Sequence, residues 1–443
     1  MRLRIIKVKT VKFSVLLLII SILLTSYGTL SASAAVVSDA PEILADGAVL
    51  LNLNNGEIVY EKNAKDKMYP ASVAKLMTAI VVFDSVENLN SVVTVGQGVI
   101  TKNIGNNISI SEGEVFTVAE LLGALLVGGA NDAANVLATY VGGSIEGFAV
   151  MMNEKATELG AESTNFTNPS GIHERDMYTT AYDVAMIAKY ACLNSKLVET
   201  ASMESFTISK TNMSKERVIY NKNLMASPAS TYYYKNAKGL SAGSTQQAGY
   251  VSVSMATEKT IPLLCVVLSS EKSSDGVIHS YKDASSLYGW AFGSYEYKTV
   301  LKSWNISYEM PVRLSAQADY VLLYPESDIE LLLPVGIDVS KDIKKVYNLY
   351  SESVDAPIAK DTVVGEISLI YNGEILATSK LLTTTSVERS NTLYYIDLID
   401  QIIGTTWFKV SLASFIVIGM TYLCLSVFRK SKRNKKKNKN LLN

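Results

Sequence analysis

Apolar residues over 48–53 and 58–60 flank Asn55-Gly56, which predicts two antiparallel strands joined by a type I′ turn. Pro70-Ala71-Ser72 then opens a stretch of helical periodicity that runs to about Phe83. A second such stretch covers 118–127 and a third 133–140, with Gly128-Gly129 between them. Thr180 with Asp183 three residues later predicts a capping box and a helix to about Cys192. Residues 249–256 and 260–269 read as two strands turning at Glu258-Lys259, and a last helix is expected over 281–292. Strands at both ends with helices between predict an α/β domain over 35–297 whose sheet joins its first and last segments. From about Lys298 the texture changes. Short runs such as Tyr320-Val321-Leu322-Leu323, 363–367 and 374–376 alternate with turns, Asn372-Gly373 among them, and predict a small all-β module over 298–390.

The two ends have a different pattern. Arg2, Arg4, Lys7, Lys9 and Lys12 precede an apolar run over 13–24 and small residues ending at Ala32-Ser33-Ala34. That order reads as a secretory signal peptide over 1–34, cleaved near Ala34 or Ala35. At the other end, residues 391–409 read as a linker of amphipathic character. Residues 410–428 then hold no charge. Nineteen residues at about 1.5 Å each just cross a hydrocarbon core of about 30 Å. Eight basic residues between Arg429 and Lys439 follow, so the 429–443 tail is expected on the cytoplasmic side.

Charge sharpens this picture. The 443 residues carry 41 Lys+Arg and 42 Asp+Glu, a formal −1. Thirteen of the cations sit in the two acid-free ends, so the part between holds 28 against 42 acids, a formal −14. This balance excludes a polybasic nucleic-acid binder, and 48% apolar content excludes a disordered chain. The expected protein is an acidic, extracytoplasmic ectodomain on one membrane-spanning helix. Cys192, Cys265 and Cys424, with His173 and His279, have neither metal-site nor disulfide spacing, and no metal or cofactor is expected.

The candidate chemistry begins at Ser72-Val73-Ala74-Lys75. On a helix, i and i+3 share a face, so the Lys75 amine can reach the Ser72 hydroxyl. A serine becomes a nucleophile when a base takes its proton, and a buried lysine of lowered pKa can be that base. Ser269-Ser270-Glu271-Lys272 has the same spacing, but at a strand end. The two histidines read as loop or surface residues, and Asp132 as a helix N-terminal residue rather than an acid catalyst.

The segment 69–79 resembles the active-site helix of the low-molecular-mass penicillin-binding proteins, the serine-type D-alanyl-D-alanine carboxypeptidases. The resemblance continues through Gly129-Ala130-Asn131-Asp132, Asn168-Pro169-Ser170-Gly171, Tyr178-Thr179-Thr180-Ala181, Asn221-Lys222-Asn223-Leu224 and Ala248-Gly249-Tyr250. The β-rich module with Ala356-Pro357-Ile358 is similar to that family's C-terminal domain. The resemblance implies a penicillin-recognising serine-transferase fold that forms an acyl-enzyme with peptidoglycan stem peptides and with β-lactams. By position, Ser72 is then the nucleophile, Lys75 its base and Asn131 the amide lining the cleft. Ser241, Gly243 and Ser244 fall on the substrate-binding strand, and the N–H groups of Ser72 and Ser244 form the oxyanion hole.

Two of the family's three motifs are altered. The S-x-N position reads Gly129-Ala130-Asn131, and the K-T-G position reads Ser241-Ala242-Gly243. On a regular strand Lys238, three residues before Ser241, points to the opposite face, and Lys235 is about 20 Å away at ~3.3 Å per residue. The resemblance therefore implies a carboxypeptidase of impaired turnover. The alternative is a catalytically degenerate homologue that binds peptidoglycan or a partner without hydrolysis. A serine β-lactamase is disfavoured by the β module, the stalk and the lack of a deacylating Glu motif.

Overall fold

The computed structural model describes residues 39–100 and 105–439, and the stretch read as a signal peptide lies outside them. The chain forms two compact units. One comprises the described residues up to Tyr297 with Leu332–Gly336, and the other holds Lys298–Leu331 and the rest of the chain from Ile337.

In chain order the first unit contains β1 (Gly47–Asn52), β2 (Ile58–Lys62), α1 (Val73–Ser85), β3 (Val92–Thr94), β4 (Val115–Thr117), α2 (Val118–Leu126), α3 (Asn131–Gly142) and α4 (Ile145–Glu158). It continues with α5 (Ala181–Ala191), α6 (Ser195–Ala201), β5 (Ser205–Ile208), β6 (Arg217–Tyr220), β7 (Ala237–Thr245), β8 (Gly249–Glu258), β9 (Ile261–Ser270) and α7 (His279–Ser294). Five strands form one antiparallel sheet in the order β2-β1-β9-β8-β7, so the first and last strands meet as expected.

Alternate residues of the central strands feed two cores. Val49, Leu51, Leu264, Val266 and Leu268 pack with the α1 to α5 layer. Ala48, Leu50, Leu263, Cys265 and Val267 pack on the other face with Tyr288 and Phe292 of α7. Burial on both faces is why β1 and β9 read as nearly continuous apolar runs. α1 is buried at each residue from Val73 to Val82, so it is a central helix rather than a surface one.

Several local expectations change in detail. The first hairpin forms, but five residues separate its strands and Asn55 keeps a negative φ. Its turn closes through Gly56 N–H to Asn52 O at 2.8 Å, not as type I′. At α5 the Thr180 side chain does accept from Asp183 N–H. The Asp183 carboxylate instead accepts from Ser163 N–H and Thr164 Oγ1, so half of the capping box is used to hold a neighbouring loop. A full box stands at α2, between Thr117 and Glu120. Helix α4 carried no reading in the sequence; its apolar positions are diluted by Glu146, Asn153, Glu154 and Lys155.

In the second unit, a six-stranded sheet has the order Lys344–Leu349, Val363–Tyr371, Glu374–Thr383, Tyr320–Pro325, Tyr308–Arg313, Val354–Asp355. Asn372 and Gly373 both have positive φ, as a two-residue hairpin requires. The stretch read as a linker is helical over Asn391–Gly404, because its apolar residues follow helical spacing and Ser390 caps it through Leu393 N–H. Helix Thr406–Lys439 follows, and its Thr406–Asn434 portion is long and apolar enough to cross a membrane.

One buried ion pair braces the wall that later forms the cleft. Glu114, with a fully buried side chain, accepts from Arg217 of β6 at 2.7 Å and from Thr211 Oγ1 at 2.6 Å. Burial pushes the Glu114 carboxyl up, but bonds from Thr211, the Ser111 N–H and Arg217 outweigh it and hold the group low. Glu114→Ala would leave a largely buried guanidinium uncompensated, and is expected to cost about 3 kcal/mol in urea unfolding. Wild-type stability in that variant would show that the pair does not brace this wall.

Candidate active site

The chain enters α1 through a turn that is sterically fixed. Ala71 adopts a φ of +44°, uncommon for a residue with a Cβ. Gly171 packs directly on it: a Cβ at Gly171 would lie 1.7 Å from Ala71 O, and its own φ is +75°. The turn delivers Ser72 to the start of α1. Serine at that position ordinarily caps the helix with its hydroxyl. Ser72 has helical dihedrals and makes no capping bond. Its side chain instead lines a cleft of about 680 Å³.

Lys75 lies one turn along the same helix and is buried. Its Nζ donates to Ser170 O at 2.5 Å. Burial alone lowers its pKa from 10.5 to about 7. No hydrogen bond joins Ser72 Oγ to Lys75 Nζ among the described residues. Resting-state geometry of this kind commonly tightens only when substrate arrives. Ser72 N–H, at the helix start, donates to no group among the described residues.

The opposite wall is β7. Gly243 closes on the serine: a Cβ there would lie 2.0 Å from Ser72 Oγ. Ser244 follows it along the cleft. Asn131 begins α3, with its N–H donating to Asn106 O at 2.8 Å. The Asp132 carboxylate accepts from Ile108 N–H and Ile110 N–H, each at 3.0 Å, and from Ala133 N–H at 2.9 Å. Asp132 therefore ties the 105–110 loop to α3 beside Asn131.

Ser72, Lys75, Asn131, Gly243 and Ser244 thus line a single cleft, and Ser241 lines a narrow crevice that Ser72, Lys75 and Lys222 also border. The Ser241 hydroxyl donates to Ser72 O at 2.8 Å. β7 also departs from the regular strand assumed for Lys238. A bulge at Leu240 shifts the register, pairing Lys238 with Met255 and Ser241 with Val253. Those partners are two residues apart on β8, so Lys238 and Ser241 share a face. Lys238 is nonetheless exposed and lines no part of the cleft.

Two residues gained no role from the sequence. Ser170 supplies the carbonyl that receives the Lys75 amine, and Lys222 lines the cleft. Lys222 is set by a pinned turn: its N–H donates to Val127 O, while the Asn221 side chain donates to Ala201 O and Met203 O. Its Cγ lies 3.8 Å from where a Cβ on Gly129 would stand. Neither role was legible because each depends on a backbone contact between distant segments.

This arrangement, a serine beside a buried amine under a glycine strand, agrees with comparison to known proteins. The D-alanyl-D-alanine carboxypeptidase profile matches residues 34–272, more than half of the chain. The chain belongs to that family. The penicillin-binding protein 5 C-terminal domain profile matches residues 295–389. D-alanyl-D-alanine carboxypeptidase DacF of Bacillus subtilis is 26% identical over 357 residues, covering 80% of this chain and 88% of the relative. DacC of Escherichia coli is 29% identical over 362 residues, covering 79% and 86%. The crystal structure of penicillin-binding protein 5 from Haemophilus influenzae superposes with a TM-score of 0.62 at 26% identity, covering 79% of this chain and 99% of that one. The fold is therefore the penicillin-recognising serine-enzyme fold with an all-β C-terminal domain. The family binds peptidoglycan peptides and β-lactams.

Gly171→Ala would drive a carbon into the Ala71 carbonyl at a left-handed φ. It is expected to cost about 3 kcal/mol, read as a lowered urea midpoint. An unshifted midpoint would mean that this turn is not sterically fixed.

Proposed function

We propose that this chain is a membrane-anchored serine-type D-Ala-D-Ala carboxypeptidase that forms an acyl-enzyme on Ser72. The observation that carries the reading is the pairing of an uncapped Ser72 with a buried Lys75 on the floor of one cleft, under a strand that admits only glycine at position 243. With a pKa near 7, the Lys75 amine is partly unprotonated at neutral pH and can take the serine proton. Attack on the carbonyl of the penultimate D-Ala forms the ester, the terminal D-Ala leaves, and water releases the acyl group. The N–H groups of Ser72 and Ser244 stabilise the oxyanion, and Asn131 orients the substrate amide. The 1–34 leader directs export, and the basic tail keeps the C-terminus of the anchor in the cytoplasm. The domain limits are those of the sequence reading, with 391–409 as helical stalk.

The altered motifs act on two steps. Gly129 offers no hydroxyl to relay a proton to the leaving amine, and Ser241 offers no cation to the terminal carboxylate. Its hydroxyl on Ser72 O makes it a positioning residue. Lys222 is the cation left to meet the carboxylate from across the cleft, beside Gly129. A charge-assisted bond of that kind is worth roughly 1.5–3 kcal/mol. The missing hydroxyl also favours a second reading, a homologue that binds wall peptides without releasing D-Ala.

Full-length protein in detergent should take up labelled penicillin at Ser72, and Ser72→Ala should take up none. Gly243→Ala, which pushes the serine from its place, should slow labelling at least about 100-fold. Labelling of Ser72→Ala, or none of the parent at high drug, would overturn the nucleophile assignment. Release of D-Ala from a pentapeptide decides between the two readings: slow release that falls about tenfold further in Lys222→Gln supports the enzyme, and zero release supports the binder.

The labelling rate should also follow the Lys75 amine. Only the neutral amine accepts a proton, so the rate should climb from pH 5, bend near pH 7 and level off above it. A flat profile from pH 5 to 9 would remove Lys75 from the base role.

A further inference from the structure

The narrow crevice that Ser241 lines measures about 10 Å³, roughly the volume of one water-sized sphere, so it takes a single water and nothing larger. It meets the catalytic cleft at Ser72, Lys75, Lys222 and Ala242, which border both spaces. Leucines of α1, α2 and β7 make up much of its remaining wall. Polar groups reach it from three separate segments. Lys75 borders it from α1, and its Nζ uses only one of its bonding positions on Ser170 O. Ser241 borders it from β7, and its hydroxyl donates to Ser72 O while keeping lone pairs to accept with. Gly129 borders it from the turn between α2 and α3. That glycine is buried, and neither its N–H nor its carbonyl has a hydrogen-bond partner among the described residues. Buried backbone groups are nearly always paired, with ordered water where the protein supplies no partner.

We propose that this crevice holds one fixed water, and that the water carries a proton from Lys75 to the departing amine in place of the hydroxyl that Gly129 does not offer. The inference rests on the carboxypeptidase reading and deepens it. A water there accepts from Lys75 and donates to the Gly129 carbonyl or the Ser241 hydroxyl, which leaves its second proton for the substrate. Because Ser72, Lys75 and Lys222 border both spaces, the water stands between the amine that holds the proton and the leaving-group side of the cleft. Room for one molecule limits the relay to a single water. One enclosed water is not bulk solvent, so Lys75 remains desolvated.

The step balances without a further reactant. Ser72 Oγ bonds to the carbonyl carbon, and its proton passes to Lys75. As the carbon–nitrogen bond breaks, the amine nitrogen takes a proton from the water, and the water takes one from the Lys75 ammonium. D-Ala departs, Lys75 is neutral again and the water is regenerated.

The test uses full-length protein in detergent and two substrates with the same acyl part. One is a peptide ending in D-Ala-D-Ala, which expels an amine. In the other, sulfur replaces the nitrogen of the last residue, and the thiolate it expels needs no proton. The readout is kcat/KM for release of D-Ala and of thiol. Ser241→Thr keeps the hydroxyl and adds a methyl group to the crevice wall, where it displaces the water. It should lower the peptide-to-thioester ratio at least about tenfold. Adding Gly129→Ser to that variant should restore the ratio, since a Cβ at position 129 meets nothing nearer than 3.5 Å and its hydroxyl then relays directly. A ratio unmoved by Ser241→Thr, with any loss shared equally by the two substrates, would overturn the relay and leave the carboxypeptidase reading in place. Release of neither product by the parent would overturn that reading and the relay with it. A high-resolution crystal structure of the parent should show one ordered water bonded to Lys75 Nζ in the crevice, and a dry crevice would overturn the proposal whatever the kinetics.

Discussion

The arrangement of the cleft depends on how closely two glycine backbones approach the turn before α1. Gly171 lies on the Ala71 carbonyl, and Gly243 lies against Ser72 Oγ, each at a separation that no side-chain carbon tolerates. The first contact places Ser170 O over α1, where it receives the Lys75 amine. The second presses β7 onto the same helix, and Ser241 fastens it there through Ser72 O. Ser72 and Lys75 are neighbours on one helix in any case. What the glycines add is enclosure. They bring a loop and a strand from 95 and more residues away close enough to exclude water from Lys75.

Enclosure decides the electrostatics. Two lysines line the cleft, and their surroundings give them opposite character. Lys75 is buried without a nearby carboxylate, so desolvation acts unopposed and its proton is held loosely. Lys222 is exposed on a braced turn, where its side chain meets solvent. One amine suits proton transfer and the other suits holding an anion. Exchanging their environments would exchange those abilities, because the side chains are chemically identical.

Much of this was legible in the sequence where it depended on local periodicity. The helix after Pro70, the strand pair turning at Lys259 and the Asn372-Gly373 hairpin all came from spacing within a dozen residues. The serine and lysine came from an i, i+3 relation on one of those helices. The rest depended on tertiary contacts. The extra residue at Leu240 reversed the face assigned to Lys238, since a bulge changes parity without any signature in residue type. The bond from the Ser241 hydroxyl to Ser72 O joins segments 169 residues apart and had no local signal either. The stretch read as a linker was a helix, and its amphipathic spacing had been visible.

Net charge and local charge pull in opposite directions in this protein. The chain between the two basic ends carries a formal −14, a field that repels a ligand with a terminal carboxylate. Screening limits that repulsion. At physiological ionic strength the Debye length is about 8 Å, so acids on the far side of the domain contribute little within the cleft. Local groups then dominate at contact range: Lys222 in the cleft, with Lys67 and Arg175 set against Asp46 and Asp66 in an adjoining cavity. Lower ionic strength extends the reach of the distant acids and weakens that local advantage. Binding of an anionic peptide here thus depends on where a few cations stand, and the total charge mainly sets how strongly salt modulates the encounter.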